Sequence, residues 1–290
     1  MRILILGAKG NLGGQLVKVF SADEKYEVID WDKEEIDITD HGLILKKVGD
    51  IKPDLIINAA AYNAVDKCEE SNAQYEIAKK VNIDGPKFLA EAAFANDAIL
   101  VHYSTDYVFD GKNKKGYVET DDQNPINRYG KSKFHGEKRI IEMSGAGLKW
   151  YLIRVSKLFG PKGESEAAKP NFFDLIFKLS KEKNELEIVS EEKSFFTYTV
   201  DLAAATKKIV ESNAGFGIYH LTNQGAYTWY SAARDFFKVA DIKIKTKSVL
   251  ASKFPRPAKR PKYSMLLNTK TEPMRELKEA LIDYYNNYLK

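Results

Sequence analysis

The sequence predicts an α/β fold, in which a doubly wound parallel sheet is followed by a smaller mixed α/β lobe. Three observations support this prediction: apolar runs alternate with helical patterns in the first half, a glycine-rich turn follows the first run, and the pattern changes after about Val155. Buried parallel strands are typically continuous apolar runs, and right-handed helical crossovers connect them.

Five short apolar runs bounded by turn residues predict the strands of the parallel sheet. These runs are Ile3–Leu6, Val28–Ile29, Leu55–Ile57, Ile99–His102 and Tyr151–Val155. Helical periodicity between them predicts helices over Leu12–Phe20, Ile77–Phe94 and Lys131–Met143. A sheet of this kind binds its ligands at the carboxyl ends of the strands.

A stretch rich in Gly, Pro and Lys at 160–170 introduces the second lobe. Further on, the patterns predict helices at Phe172–Lys181, Arg234–Val239 and Glu276–Leu289, strands around Glu187–Val189 and Gly217–Thr222, and a basic loop at Phe254–Lys262. We therefore expect residues 1–155 to form the first domain, completed by parts of 185–215, and residues 156–290 to form mainly the second lobe.

Composition narrows the classes of function. With 290 residues and 44% hydrophobic composition, the chain can bury a sizeable core. The 45 basic and 41 acidic side chains nearly cancel, so the net charge of +4 suits an anionic small molecule better than nucleic acid. A single cysteine, Cys68, cannot form an internal disulfide, and no apolar stretch could span a bilayer, so we expect a cytoplasmic protein without a membrane partner.

A glycine-rich turn follows the first predicted strand and opens the first predicted helix. Its glycines, Gly7, Gly10 and Gly13, have the spacing GxxGxxG and enclose Asn11 and Leu12. Glycines here allow a tight turn and let backbone amides approach a pyrophosphate at the positive end of a helix. The turn therefore predicts a Rossmann-type domain, at residues 1–155, that binds NAD or NADP.

The end of the second predicted strand bears on the choice of cofactor. Asp30 or Asp32 can accept hydrogen bonds from the adenosine ribose, which favours NAD, whereas Lys33 can pair with the extra phosphate of NADP. The sequence leaves NADPH and NADH open, with a slight preference for NADPH.

Tyr129 and Lys133 lie four residues apart in a predicted helix and therefore share one face. A phenol has a reference pKa of about 10, and a neighbouring ammonium stabilises its phenolate and lowers that pKa. Lys133 can also hold the nicotinamide ribose. The pair is therefore a candidate for acid–base catalysis.

Ser104 and Thr105 follow the predicted strand Ile99–His102, at the ligand-binding edge of the sheet. A hydroxyl there can hold a substrate carbonyl. The sequence leaves open which of the two points inward, and either can instead cap the following turn.

Motifs spread over nearly the whole chain match those of one enzyme family. They are Gly7–Gly13, Asp37–Asp40, Asn58–Ala61, Val65–Glu69, Asn82–Gly85, Ser104–Gly111, Pro125–Lys133, Gly217–Leu221, Trp229–Tyr230 and Arg260–Pro261 with Ser264. On these motifs the chain resembles the dTDP-4-dehydrorhamnose reductase family, a branch of the extended short-chain dehydrogenases.

The resemblance implies roles for individual residues. Thr105, Tyr129 and Lys133 are expected to form the catalytic triad, with Tyr129 as the proton donor. Asp37 and Ile38 are expected near the adenine, and Ala59, Ala60 and Ala61 along the cofactor. The residues expected to face the sugar nucleotide are Ser104, Thr105, Asp106, Tyr107, Lys157, Trp229, Arg260 and Ser264. Trp229 can instead be a core residue, and the basic loop can instead be a solvated surface.

The implied activity is reduction of the 4-keto group of a nucleotide-activated deoxy sugar by hydride from NAD(P)H, as in dTDP-L-rhamnose biosynthesis. The alternatives are a reductase of a different 4-keto sugar nucleotide, or a non-catalytic regulatory subunit that binds a sugar nucleotide or NADP. An epimerase or dehydratase of the same superfamily ranks lower. We expect a monomer or homodimer, and no metal site, because no ligand cluster has suitable spacing.

Two departures from the family pattern concern the sugar. Lys157 stands where the family usually has a tryptophan, and Glu192-Lys193, Phe195 and Phe196-Thr197 replace its usual Asp-Gln, Gly and Pro-Thr. The triad is unchanged, so the sequence predicts the reaction class more firmly than the sugar.

Overall fold

The computed structural model describes residues 1–166, 168–212 and 214–290. Its strands are β1 (Arg2–Leu6), β2 (Glu27–Trp31), β3 (Leu55–Asn58), β4 (Ile99–Thr105), β5 (Lys149–Val155), β6 (Leu158–Phe159), β7 (Glu185–Val189), β8 (Lys193–Ser194), β9 (Thr197–Tyr198), β10 (Gly217–His220), β11 (Tyr227–Thr228) and β12 (Lys245–Val249). Its helices are α1 (Gly13–Ser21), α2 (His41–Ile51), α3 (Lys67–Glu70), α4 (Asn72–Lys79), α5 (Gly85–Ala95), α6 (Arg128–Glu142), α7 (Phe172–Glu182), α8 (Thr199–Glu211), α9 (Trp229–Val239) and α10 (Leu277–Tyr284).

A six-stranded parallel sheet is the centre of the first domain, and it confirms the predicted fold class. Its strand order is β2-β1-β3-β4-β5-β10. The five predicted strands are β1 to β5. The chain passes from β2 on one side of β1 to β3 on the other, so the carboxyl ends of β1 and β3 flank the crevice in which such sheets bind ligands.

Helices cover both faces of this sheet. Side chains alternate along β1, so that Ile3 and Ile5 belong to the core beneath α1 and α8, whereas Leu4 and Leu6 belong to the core beneath α2 and α5. Both faces of a doubly wound sheet are buried, which explains the continuous apolar run. Neither α2 nor α8 was predicted from the sequence.

The strand predicted around Gly217–Thr222 belongs to the central sheet. It is β10, which pairs in parallel with β5 from Gly217 opposite Tyr151 to His220 opposite Arg154. The chain therefore returns from the second lobe to complete the sheet, whereas the expectation had placed this strand in the lobe.

The second lobe encloses an aromatic core between α7, α9 and α10 and the parallel pair β7–β12. The predicted helices in this part are present as α7, as α9, which begins five residues earlier than expected, and as α10 with the π-helical turn Tyr285–Leu289. The pair β6–β9 connects this core to the carboxyl end of β5. In the part of the chain that the structure describes, no helix is both long and apolar enough to cross a membrane.

The long helix predicted at Ile77–Phe94 is divided into α4, a π-helical turn at Lys80–Asp84, and α5. The π turn directs the Asn82 amide inward, where it exchanges two hydrogen bonds with the Tyr62 backbone and donates to the Ser132 hydroxyl. Irregular turns of this kind are frequent at functional sites. Here the turn joins the segment after β3 to α6.

Candidate active site

The glycine turn fits the pyrophosphate of a dinucleotide. Gly7 has a φ of +72°, and a Cβ on it would lie 2.7 Å from the Ala60 nitrogen. A Cβ on Gly13 would lie 2.0 Å from the Gly7 carbonyl oxygen. Only glycines therefore allow the turn to close against the segment after β3, and α1 begins directly behind it with its positive end. Leu12 is buried beneath the turn.

The three charged candidates after β2 occupy different positions. Asp32 supports the glycine turn, because its carboxylate accepts the Lys9 N–H at 2.9 Å and the Lys33 N–H at 2.8 Å. Asp30 and the Lys33 side chain are exposed at the edge of the sheet. Asp32 is thus occupied by hydrogen bonds to the backbone, whereas the Lys33 ammonium is accessible to an anionic group.

A segment of the second lobe covers the glycine turn, which the sequence did not predict. The Gly163 N–H donates to Asn11 Oδ1 at 2.9 Å, and the Ser165 N–H donates to the Lys9 carbonyl at 2.9 Å. Asn11 is therefore in contact with residues 161–166, which cover the glycine turn.

The candidates for the adenine side and the cofactor backbone lie around the same crevice. Asp37 is exposed, and hydrogen bonds from Thr39 hold its pKa below the ordinary value despite partial burial. Ile38 is buried against Gly85. Ala59, Ala60 and Ala61 follow the carboxyl end of β3; the first two are half-buried and Ala61 is exposed.

Tyr129 lies in the first turn of α6, which begins at Arg128, three residues before the predicted start of this helix. The Asn127 side chain caps the helix by accepting the Gly130 N–H at 2.7 Å. Burial raises the pKa of the Tyr129 phenol, the neighbouring Asp106 carboxylate raises it further, and a hydrogen bond with Thr105 opposes both. This direction is opposite to the predicted effect of Lys133, because burial outweighs any stabilisation of the phenolate.

Lys133 is held by β4. Its ammonium donates to the Tyr103 carbonyl at 2.7 Å and lies 3.4 Å from His102 Nε2. Burial lowers the pKa of Lys133 to about 8, against an opposing effect of Glu137. Lys133 is therefore a buried amine that loses its proton more readily than an exposed lysine.

Asp106 collects three hydroxyl groups in the interior beside Tyr129. Its carboxylate accepts from Thr105 at 3.1 Å, from Ser156 at 2.8 Å and from Ser264 at 2.6 Å. Burial raises the pKa of Asp106, and these hydroxyls oppose the shift. Asp106 and Ser264 are 158 residues apart in the chain, so the tertiary structure alone brings the Ser264 hydroxyl onto the carboxylate that Thr105 also contacts.

Ser104 points away from this cluster. Its hydroxyl donates to Glu137 at 2.5 Å, and Glu137 forms a fully buried ion pair with Arg154 at 2.7 Å. Side chains alternate along a strand, so Ser104 and Thr105 face opposite sides. The structure therefore selects Thr105 as the hydroxyl beside Tyr129 and places Ser104, expected at the substrate, in a structural network.

Lys157 lies in a left-handed conformation, with a φ of +40°, just beyond β5. Its ammonium is 4.1 Å from the centre of the Trp229 ring and donates to the Glu192 carbonyl at 3.3 Å. The Trp229 indole donates to the Glu192 carboxylate at 2.9 Å, and Arg256 forms an ion pair with the same carboxylate. Burial lowers the pKa of Lys157 to about 8.

A basic cavity of about 350 Å³ adjoins this group. Its charged lining residues are Glu191, Glu192, Arg256, Lys259, Arg260 and Lys262. Arg260 also lines a second cavity of about 270 Å³, together with Lys67 and Lys169. Burial raises the pKa of the Tyr107 phenol. The Tyr107 ring lies edge-on to the Tyr129 ring, with 5.9 Å between the ring centres. The two cavities therefore place arginine and lysine side chains in the same region as the Tyr107 and Tyr129 phenols.

The structure adds Asn58, His102, Ser156, Glu192 and Arg256 to the site residues predicted from the sequence. Glu192 and Arg256 lay in segments already singled out, but their pairing depends on tertiary contact. Within the described ranges, no group of three or more His, Cys, Asp or Glu side chains could hold a metal ion.

Comparison with known proteins agrees with this geometry. The family model described as the RmlD substrate binding domain matches residues 1–289. A dTDP-4-dehydrorhamnose reductase of Aggregatibacter actinomycetemcomitans is 36% identical over 93% of this chain and 92% of its own length. The crystal structure of a dTDP-4-dehydrorhamnose reductase from Clostridium acetobutylicum matches with a TM-score of 0.90 and 39% identity over 99% of both chains. That of Bacillus anthracis, in complex with NADP, matches with a TM-score of 0.90 and 33% identity over 98% of both chains.

Proposed function

Because this chain belongs to the RmlD substrate binding domain family, as the resemblance predicted, we propose that it reduces dTDP-4-dehydrorhamnose with NADPH, the reductive step that yields dTDP-L-rhamnose. The observation that carries the proposal is the position of Tyr129. Tyr129 is half-buried beside Thr105 and Asp106, close to a basic cavity, and its raised pKa keeps the phenol protonated at neutral pH.

The cofactor would lie across the carboxyl ends of β1, β3 and β4. Gly7, Gly10 and Gly13 would hold its pyrophosphate, and Lys33, exposed at the end of β2, would face the extra phosphate of NADP. The Bacillus anthracis relative was solved with NADP, which supports the same preference here. When bound, the reduced nicotinamide supplies the hydride that the reaction requires.

Tyr129 would protonate the sugar oxygen as negative charge develops on it. Thr105 would hold the carbonyl, because its hydroxyl lies against the phenol and is itself oriented by Asp106. Positioned acid catalysis of this kind contributes about 10²- to 10⁴-fold to the rate. Lys133 would hold the nicotinamide ribose and return a proton to Tyr129 after each turnover.

The basic cavity would receive the nucleoside diphosphate. Arg256, Arg260 and Lys262 supply positive charge for the two phosphates, and Glu192 and Asp66 hold the two guanidinium groups in place at the cavity. Lys157 and Trp229 lie between this cavity and Asp106, where the sugar would rest. The second lobe, mainly residues 156–290, would thus provide the substrate site and residues 1–155 the cofactor site.

The test is the loss of reduced-nicotinamide absorbance when the purified chain is mixed with dTDP-4-keto-6-deoxyhexose, using NADPH and NADH in parallel. We expect turnover with a preference for NADPH. Tyr129→Phe should lower kcat by about 10²- to 10⁴-fold and leave the Kd for NADPH nearly unchanged.

Tyr26→Phe is the matched control, because it removes a phenol hydroxyl that donates to Glu211 and lies just before the amino end of β2, at the opposite edge of the sheet. An undiminished rate in Tyr129→Phe would remove Tyr129 from the mechanism. Cofactor binding without turnover on any 4-keto sugar nucleotide would favour the non-catalytic regulatory subunit instead.

A second candidate, reduction of a different 4-keto sugar nucleotide, is favoured by Lys157. Its ammonium stands at the proposed sugar position and offers a hydrogen-bond donor that an apolar ring would not. A panel of 4-keto sugar nucleotides distinguishes the candidates: the substrate with the highest kcat/KM identifies the sugar.

A further inference from the structure

Asn58 and His102 are buried, directly paired residues of β3 and β4 beside Lys133, and neither takes part in the proposed reaction described above. The Asn58 amide is oriented by the backbone, because its Oδ1 accepts the Ala60 N–H at 3.1 Å. The amide nitrogen therefore faces His102, with Asn58 Nδ2 3.0 Å from His102 Nδ1.

This orientation determines the tautomer of the His102 ring. An amide NH₂ only donates, so the ring nitrogen facing it must accept. A neutral imidazole carries one N–H, which must then be on Nε2. The ring is neutral because burial holds the pKa of His102 well below its usual value, and the adjacent Lys133 lowers it further.

The Nε2–H consequently points at the Lys133 nitrogen, 3.4 Å away. A donor facing an ammonium disfavours the charged form, whereas the neutral amine can accept from it. Lys133 keeps its hydrogen bond to the Tyr103 carbonyl in either state. The only other titratable group acting on it among the described residues is Glu137 of α6, which favours the ammonium and is itself tied to Arg154 and Ser104.

We propose that Asn58 and His102 form a positioning pair for Lys133, in which the Asn58 amide holds the ring as the tautomer whose Nε2–H faces the lysine nitrogen. The pair makes Lys133 release its proton readily, so that it can resupply Tyr129 during turnover. This inference rests on the role proposed above for Lys133, but the tautomer follows from hydrogen bonding alone.

The direct test is the ¹⁵N NMR spectrum of the full chain labelled at histidine. The chain has four histidines, so the spectrum is simple, and His102→Gln assigns the His102 signals. We expect a neutral ring protonated at Nε2 near neutral pH. A ring protonated at Nδ1, or at both nitrogens, would overturn the proposal without bearing on whether the chain is a reductase.

Asn58→Asp tests the consequence for Lys133. The carboxylate keeps the Ala60 contact and accepts from Nδ1, so the ring proton moves to Nδ1 and Nε2 becomes an acceptor for the ammonium. We expect the alkaline limb of the kcat profile, where Lys133 loses its proton, to move to higher pH while the KM for the sugar nucleotide is unchanged.

Asn72→Asp, at the exposed first residue of α4, makes the same chemical change far from this pair and should leave the profile in place. If Asn58→Asp alters neither the ring tautomer nor the alkaline limb, the positioning role is wrong. If the chain proves inactive, the NMR measurements on both variants still decide the tautomer.

Discussion

Arg260 and Asp66 form a two-point ion pair, with Nη1–Oδ1 and Nη2–Oδ2 distances of 2.6 and 2.7 Å. Asp66 also accepts the Ala258 N–H at 3.1 Å. The pair joins the basic loop around residues 254–262 to the segment after β3, and the Arg260 guanidinium holds the pKa of Asp66 below its usual value. This one contact therefore connects the proposed substrate loop to the domain of the parallel sheet.

Asp66→Asn should loosen that loop, because a neutral amide cannot hold the guanidinium as strongly. Hydrogen bonds to charged groups contribute about 1.5–3 kcal/mol, so opening of the loop should become at least about tenfold more frequent. Limited trypsin digestion at the lysines and arginines of residues 253–262 measures this. Asp235→Asn, which removes a surface pair with Lys238, is the control and should digest like the wild type; equal cleavage of both variants would contradict the prediction.

Gly163→Ala should weaken the cover over the glycine turn. A Cβ at this position would lie 2.4 Å from the Lys9 carbonyl oxygen and 2.5 Å from the Gly10 carbonyl carbon, so segment 161–166 must move outward. We expect faster release of NADPH, measured by stopped-flow fluorescence. Gly49→Ala in α2 meets nothing within 4 Å and should leave release unchanged while stabilising the helix by about 0.5–1 kcal/mol. Unchanged release from Gly163→Ala would show that the segment does not hold the cofactor.

Glu137→Gln should strongly destabilise the fold. It leaves the fully buried Arg154 without its carboxylate partner. Removing one partner of a buried ion pair lowers the free energy of unfolding by about 3–5 kcal/mol. Urea unfolding measures the loss. Glu142→Gln removes an exposed pair with Arg139 and should change stability by less than about 1 kcal/mol, so similar losses in the two variants would argue against a special role for burial.

Lys157→Met should remove a pH dependence of stability. The pKa of Lys157 is lowered to about 8 in the folded chain, so above that pH the folded state loses a proton that the unfolded state keeps up to its higher pKa. Stability therefore rises with pH between about 8 and the ordinary lysine value of about 10.4. Urea unfolding of both proteins at about pH 7 and about pH 10 measures this effect. The free energy of unfolding of the wild type should increase from the lower to the higher pH relative to that of the variant. If the difference in unfolding free energy between the two proteins is the same at both pH values, the Lys157 ammonium is not desolvated.

Local patterns were sufficient for much of the architecture. The apolar runs predicted β1 to β5 within a few residues, because a strand buried on both faces needs apolar side chains at every position. The helix at Leu12–Phe20 and the glycine turn followed from adjacent residues. Helix α8 was missed, since its buried positions alternate with small and polar residues and give a weak signal.

The candidate site was predicted in part. Tyr129 and Lys133 were found because helical spacing places them on one face. The predicted lowering of the Tyr129 pKa was wrong in direction, because burial and Asp106 raise the pKa of the phenol and β4 holds the lysine. Strand alternation could have shown that Ser104 and His102 share a face, and hence that both point toward α6.

The sequence by itself determined the parallel strands, the glycine turn and the family, because these depend on residues close together in the chain. Only the tertiary structure decided that Thr105 and not Ser104 lies beside Tyr129, that Asn58 sets the tautomer of His102, and that Asp66 holds Arg260 from 194 residues away. Such contacts depend on how separate elements pack, and packing brings together side chains whose spacing in the sequence carries no signal.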